Sequence, residues 1–241
     1  MNLFSDRKDN MNKSITDKIK ESQRGEIRLG IAIPNNFQMV PSAFMDSFFM
    51  MQKPPFVYLR SGATHDLAGL RNGLVKLALE QNCTHMIMMD VDQIYPADTL
   101  TRLLSHNKDI VGGKVHRRYP PFDPLMLRGD VNSYENVMEW KKGELVEVDA
   151  TGTGCLLFNM DVFRKMPAPW FKFRRKDNGD DDDVGEDIGF CSDARKAGFK
   201  IYIDTGCKIG HLSWMVVTEE THLLIKAARG ELSTACREIE A

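Results

Sequence analysis

One stretch constrains this chain more than any other: Thr84-His85-Met86-Ile87-Met88-Met89, an apolar run without alternation that stops on Asp90-Val91-Asp92. A strand exposed on one side alternates apolar and polar residues. A strand covered on both faces does not, and that is the situation of a central strand in a parallel sheet. Such a sheet needs crossover helices, and both flanks supply them. Asp66 to Gln81 carries Leu67, Leu70, Leu74, Leu77 and Ala78 at helical spacing. Pro96 to His106 opens on Pro and Ala, and Pro41 to Met51 has Pro near its first turn. Further strands read at 27–33, stopped by Pro34-Asn35-Asn36, then at 56–59 and 109–113. The first half is therefore β-α-β-α-β-α-β. It predicts an α/β fold on an open, mostly parallel twisted sheet with helices on both faces.

The second half is less regular. Strands are expected at 145–148, 154–158 and 200–204, and helices at 161–165, 186–198 (ended by Gly198) and 219–229. The last of these, with Leu223, Leu224, Ala227 and Ala228, would pack on its own domain or on a partner. Residues 1–25 are polar and aperiodic, a flexible tail with a short helix around Ile15 to Ile19. With 241 residues, the remainder (26–241) fits a single domain able to bury its own core.

Charge and cysteine content remove whole classes. Lys plus Arg number 32 and Asp plus Glu 34, a net charge of −2, which argues against coating nucleic acid by bulk charge but not against a local basic patch. Cys83, Cys155, Cys191, Cys207 and Cys236 are odd in number, spread out and without C-x-x-C, so reduced thiols in a cytosolic compartment are expected. The N-terminus lacks an apolar signal region, and no apolar run could span a bilayer. A soluble, cytoplasmic protein is expected, in the host cytoplasm if phage-encoded.

Three motifs could carry chemistry. In open α/β sheets ligands bind beyond the carboxyl ends of the strands, where Asp90 and Asp92 lie. Carboxylates there are costly unless something positive neutralises them, as a hard divalent cation bridging diphosphate oxygens would. The structural alternative is a turn capping the next helix. Glu186-Asp187 opens a helix, whose dipole keeps a carboxylate ionised and fit to take a proton; simple capping is the alternative. His211 follows the last strand and is a metal ligand by type or a structural histidine.

The series strand–Pro34, Arg71-Asn72 in a helix, Asp90-x-Asp92, Gly152-x-Gly154, Glu186-Asp187 and His211 resembles the GT-A class of nucleotide-sugar glycosyltransferases. The likeness is to small soluble family-2-like enzymes of bacterial and phage type, and it covers roughly residues 27 to 213. It implies a nucleotide-sugar-binding half (26–116) and an acceptor-binding, catalytic half (117–241). The donor would be a nucleoside diphosphate sugar, most commonly of uridine, with Mn²⁺ or Mg²⁺. By resemblance, Pro34 and Asn35 border the base, with Arg60 near the second strand's end, and Arg71 lies along the diphosphate. Asp90 holds ribose or metal, Asp92 ligates the metal, and His211 completes the protein's share. Gly152 and Gly154 let backbone approach the sugar, Asp187 is the base, and Glu186 touches sugar or acceptor. Trp170 and Trp214 are candidates for stacking or, more simply, core.

A cation for the leaving diphosphate could come from Lys114, Arg117 or Arg118. Lys172-Phe173-Arg174-Arg175-Lys176, followed by acidic Asp180 to Asp183, reads as a solvated loop, or as a lid whose basic end meets a phosphate. With Lys114, His116, Arg117 and Arg118 that end could form a patch for an anionic acceptor. In a phage enzyme a hydroxymethylated base of phage DNA would suit it; a glycan or small molecule with a free hydroxyl is the general case. Two other functions compete. A sugar nucleotidyltransferase would want a Gly-rich basic loop where Ile33-Pro34-Asn35-Asn36-Phe37 stands, and a non-catalytic nucleotide- or carbohydrate-binding module would not need Asp92, Asp187 and His211 together.

Overall fold

The computed structural model describes residues 27–35, 39–60, 66–175 and 183–230. The expected N-terminal tail with its helix at Ile15 to Ile19, Asn36, Cys236 and most of the acidic loop before Asp183 lie outside them.

A seven-stranded sheet organises the chain, in the order β2-β1-β3-β9-β5-β12-β8. Its strands are β1 (Leu29–Ala32), β2 (Phe56–Leu59), β3 (His85–Met89), β5 (Ile110–Lys114), β8 (Leu145–Val148), β9 (Cys155–Asn159) and β12 (Ile201–Lys208). β1, β2 and β3 run parallel, as do β5 and β12. β9 pairs antiparallel with both β3 and β5, and β8 antiparallel with β12. The sheet is thus mostly parallel, α/β as expected, with one departure. The β-α-β reading makes β3 and β5 neighbours, yet β9 from the second half is inserted between them. Its Cys-Leu-Leu-Phe core is buried on both faces, so it suits the sheet's centre. Running backwards, it brings Gly154 to the same edge as Asp90, with Met89 opposite Cys155.

Helices cover both faces. On one lie α2 (Leu67–Glu80), α4 (Asp161–Lys165) and α5 (Glu186–Lys196), contributing Leu74, Val75, Phe163 and Phe190 to a core shared with Met86, Met88 and Phe158. On the other lie α1 (Ser42–Met50) and α3 (Thr99–Ser105), with Phe44, Leu100 and Leu103 against Ile87, Met89 and Leu157. Both sides of β3 are therefore apolar because both are covered. Asp66 caps α2 by accepting from the Gly69 N–H. α3 begins at Thr99 instead of Pro96, since Pro96 to Asp98 form a turn closed by the Thr99 N–H on the Pro96 carbonyl at 3.1 Å.

Short pieces escaped the sequence reading: β4 (Gln93–Ile94) paired with β13 (Gly210–His211), the ribbon β6 (Leu127–Asp130) with β7 (Ser133–Asn136), and β10 (Arg174–Arg175) with β11 (Asp183–Val184). The last helix, α6 (Glu219–Ala228), buries no residue, with Leu224 70% exposed. Cys83, Cys155, Cys191 and Cys207 are buried free thiols. Among the described residues no helix is long and apolar enough to cross a membrane.

Candidate active site

Parallel strands end on one edge, and the motif residues collect there. Pro34 and Asn35 follow β1, buried and half-buried, and exposed Arg60 follows β2. Asp90 follows β3 directly. Its N–H donates to the Gly154 carbonyl at 2.9 Å, and the Tyr95 hydroxyl bridges the carbonyls of Asp90 and Gly154, both at 2.8 Å. That hydroxyl fastens the ends of β3 and β9 together. A Cβ at Gly154 would run into Gln93 Nε2 and come within 2.7 Å of Asp90 Oδ2, so any side chain here would displace both of those groups.

The two carboxylate motifs meet through one cation. Arg71 of α2, only 3% exposed, sets Nη2 3.4 Å from both Asp90 carboxylate oxygens and Nε 3.3 Å from Glu186 Oε1. Burial pushes the Asp90 carboxyl above the usual range; Arg71 works against this, while Asp92 and Asp187 reinforce it. Glu186 is raised for the same reasons: burial first, opposed by Arg71 and aided by Asp187. Asp187, the next residue in the first turn of α5, lies beside Gly152, where an added Cβ would be 3.7 Å from Asp187 Oδ2. The Cys191 thiol, 3.5 Å from the Thr151 carbonyl, holds α5 to that segment.

Asp92 belongs to a second cluster. His211 Nε2 lies 3.4 Å from Asp92 Oδ2, and Arg118 Nη1 donates to the same oxygen at 2.7 Å. The Leu212 N–H donates to the Asp92 carbonyl at 2.7 Å, and β13 against β4 holds His211 in place. The His116 carbonyl lies 2.7 Å from His211 Nδ1. A carbonyl can only accept, so Nδ1 carries the proton and Nε2 turns toward Asp92. Burial alone would raise the Asp92 carboxyl, but contact with His211 and the charges of His211 and Arg118 outweigh it and hold the group low. His211 is raised, chiefly by Asp92.

These groups suit a divalent ion. A carboxylate oxygen and an imidazole nitrogen face each other, and once that nitrogen gives up its proton to an incoming ion the two are a donor set appropriate to Mn²⁺. Among the described residues no cluster of three such side chains occurs, and Asp92 and His211 are the two that would hold the ion. Buried polar atoms lacking hydrogen-bond partners also gather here: Arg71 Nη1, Gln93 Oε1 and Thr153 Oγ1. Groups left unmatched in the protein are what a polar ligand would satisfy.

The remaining candidates scatter. Lys114 Nζ sits 4.5 Å over the Trp140 ring, and Arg117 is exposed with its N–H bound to the Asp123 carbonyl. Of the three cations proposed for the diphosphate, Arg118 is the one on Asp92. Lys172 and Arg174 turn to Asp193 of α5, at 3.6 and 2.9 Å, so two cations of the basic segment share one carboxylate. Trp170 is core, its indole N–H shared by the Phe163 and Met166 carbonyls. Trp214 is fully exposed at the mouth of a cavity of about 820 Å³ whose lining includes Asp92, Arg118, Tyr119 and Leu212. Sequence reasoning missed Tyr95 and Gln93. Neither carries a motif, and only their contacts reveal them.

No protein-family model matches the chain, and no curated protein matches its sequence. Solved structures resemble it in fold. The crystal structure of A197 from STIV aligns with a TM-score of 0.51 at 15% identity, over 80% of this chain and 97% of that one. GalNAc-T7 with UDP, GalNAc and Mn²⁺ aligns with a TM-score of 0.53 at 13% identity, over 80% of this chain and 45% of that one. S. aureus TarS 1–349 in complex with UDP-GlcNAc aligns with a TM-score of 0.45 at 12% identity, over 87% and 69% of the two chains. At such identities the likeness to A197 and GalNAc-T7 is of fold alone, and it agrees with the mostly parallel α/β sheet expected for this chain. The chain spans less than half of the GalNAc-T7 chain it matches.

Proposed function

We propose that this protein is a metal-dependent glycosyltransferase that moves a sugar from a nucleoside diphosphate sugar, most simply a UDP-sugar, to an acceptor hydroxyl. One observation carries the reading. At the carboxyl edge of a GT-A-like sheet, Asp92 and His211 face each other beside an Asp90–Arg71–Glu186 chain whose arginine and glutamate are buried. Neither a turn nor a helix cap needs that arrangement. GalNAc-T7, solved with UDP, GalNAc and Mn²⁺, has a similar fold, which supports the choice of ligands without assigning them.

Asp92 and His211 would hold Mn²⁺ or Mg²⁺, which supplies positive charge to the departing diphosphate. Arg71, with Nη1 unmatched, would orient the donor while it keeps Asp90 and Glu186 in place. Pro34, Asn35 and Arg60 lie on the edge where the base would sit, and Gly152 and Gly154 leave room for the sugar. Asp187 would take the acceptor's proton, with Glu186 alongside. For a DNA acceptor, Lys172 and Arg174 would have to share themselves with Asp193, on which both pair. The acceptor proposed is therefore any molecule offering a suitable hydroxyl, modified DNA being one arm of the test.

The test is a panel of nucleotide sugars with and without Mn²⁺, reading release of nucleoside diphosphate and transfer to candidate glycans and hydroxymethylated DNA. Asp92→Asn should abolish metal-dependent donor binding, whereas Asp187→Asn should keep binding and lower turnover by about 10²-fold or more. Normal turnover by Asp187→Asn would remove it as the base. If no donor binds or hydrolyses with metal, the glycosyltransferase reading fails.

A further inference from the structure

We propose that Arg118 acts as a built-in cation on Asp92 until a divalent ion arrives, and then hands its guanidinium to the donor diphosphate. The inference rests on the glycosyltransferase reading and concerns how that same site is loaded. A single carboxylate oxygen, Asp92 Oδ2, serves both Arg118 Nη1 at 2.7 Å and His211 Nε2 at 3.4 Å. The guanidinium thus takes a lone-pair sector of the oxygen that a bound ion would need, and the two cations compete.

The surroundings let the side chain move while its backbone stays. The Ser213 hydroxyl donates to the Arg118 carbonyl at 2.7 Å, and the His116 carbonyl accepts from His211 Nδ1 at 2.7 Å. The 116–118 strand of chain is therefore stitched to the 211–213 segment at two points. The Arg118 side chain, 46% exposed, borders the cavity of about 820 Å³ beside Asp92. The Tyr119 ring, its centroid 5.4 Å from the guanidinium carbon, already shares the guanidinium with Asp92, a contact that does not depend on the carboxylate. Once displaced from Asp92, Arg118 is an unneutralised planar cation next to the metal position, and a diphosphate matches it in charge and in bidentate geometry. Neighbouring Lys114 is engaged with Trp140 and does not share the task. Ion and diphosphate should then bind synergistically, since each relieves what the other displaces.

Titration calorimetry tests this with Mn²⁺ alone and with Mn²⁺ at saturating UDP or GDP, on wild type, Arg118→Ala, Arg118→Gln and Asp92→Asn. Arg118→Ala should bind Mn²⁺ alone roughly three- to ten-fold more tightly, the scale set by removing one partly exposed competing ion pair. The gain in Mn²⁺ affinity on adding nucleotide should shrink in the same variant. Arg118→Gln, which keeps bulk without charge, should reproduce both effects if Arg118→Ala folds poorly. If both neutral variants bind Mn²⁺ no better than wild type while Asp92→Asn abolishes binding, Arg118 is not the competitor and the metal-site reading stands. If no protein shows Asp92-dependent Mn²⁺ binding, with or without nucleotide, the glycosyltransferase reading falls and this inference with it.

Discussion

Arg71 is the residue on which the site's electrostatics turn, because it is buried between two carboxyls that burial has already pushed upward. Arg71→Met would keep the volume and remove the charge, leaving Asp90 and Glu186 without a counter-ion. Losing one partner of a buried pair costs about 3 kcal/mol, and urea unfolding at pH 7.5 should show a loss of that order. The pH dependence has a definite sign. Without Arg71 the folded-state values of both carboxyls climb further, so between the ordinary value near about 4 and the raised one the folded state binds more protons than the unfolded. The variant's deficit should therefore narrow as pH falls through that window; a deficit constant from pH 7.5 to 5 would refute the account. Gly154 tests geometry at the same scale. In Gly154→Ala the new methyl meets only the ends of the Gln93 and Asp90 side chains, which can move. The fold should survive with a small change in melting temperature, while donor binding weakens about tenfold or more as Asp90 shifts. Unaltered donor binding would show that Asp90 does not touch the donor.

At the scale of elements, α2 is fixed to the chain beyond α4 by one side chain. Asn72 Nδ2 donates to the Phe171 carbonyl at 2.7 Å, and its Oδ1 accepts from the Trp170 and Phe171 N–H groups at 2.9 and 3.1 Å. Asn72→Ala strands those buried backbone groups and should cost about 2–4 kcal/mol by denaturant titration. A loss under about 0.5 kcal/mol would mean that water replaces the clamp. This asparagine also marks what sequence can convey. Arg71-Asn72 stands out as a motif pair, but nothing in the letters says that one member faces the site and the other fastens a loop. The long elements were legible because their periodicity is the burial pattern itself: Leu70, Leu74 and Ala78 are all buried on α2. The place of β9 was not, because a strand buried on both faces looks alike whether parallel or antiparallel, and its partners lie far away in sequence. β4 and β13, two residues each, hold His211 beside Asp92 through backbone pairing that no residue type announces. Tyr95 was hidden for the same reason, since its work is done on two carbonyls.

Over the whole molecule, the acidic D-x-D motif divides between two sides of the sheet's edge. Asp90 is tied through Arg71 to Glu186, on helices of the face that holds Phe163 and Phe190. Asp92 is tied to Arg118 and His211, which follow β5 and β12 and close over the opposite face. Two carboxylates separated by one residue thus answer to different partners, and the net charge of −2 conceals two separate ionic clusters, the first with more carboxylates than cations. Residues sharing a partner are energetically coupled, whereas residues without one add. Urea unfolding of Asp90→Asn, Glu186→Gln and their double variant should therefore give an interaction energy of about 1 kcal/mol or more, transmitted by Arg71. Combining Asp92→Asn with Glu186→Gln should add within about 0.5 kcal/mol. Metal titration of the same proteins reads the other half of the division. Asp92→Asn should lose Mn²⁺ binding, while Glu186→Gln keeps it within a few-fold. Equal coupling in both cycles would mean that the edge behaves as a single ionic network, and the two-cluster division would have to be abandoned.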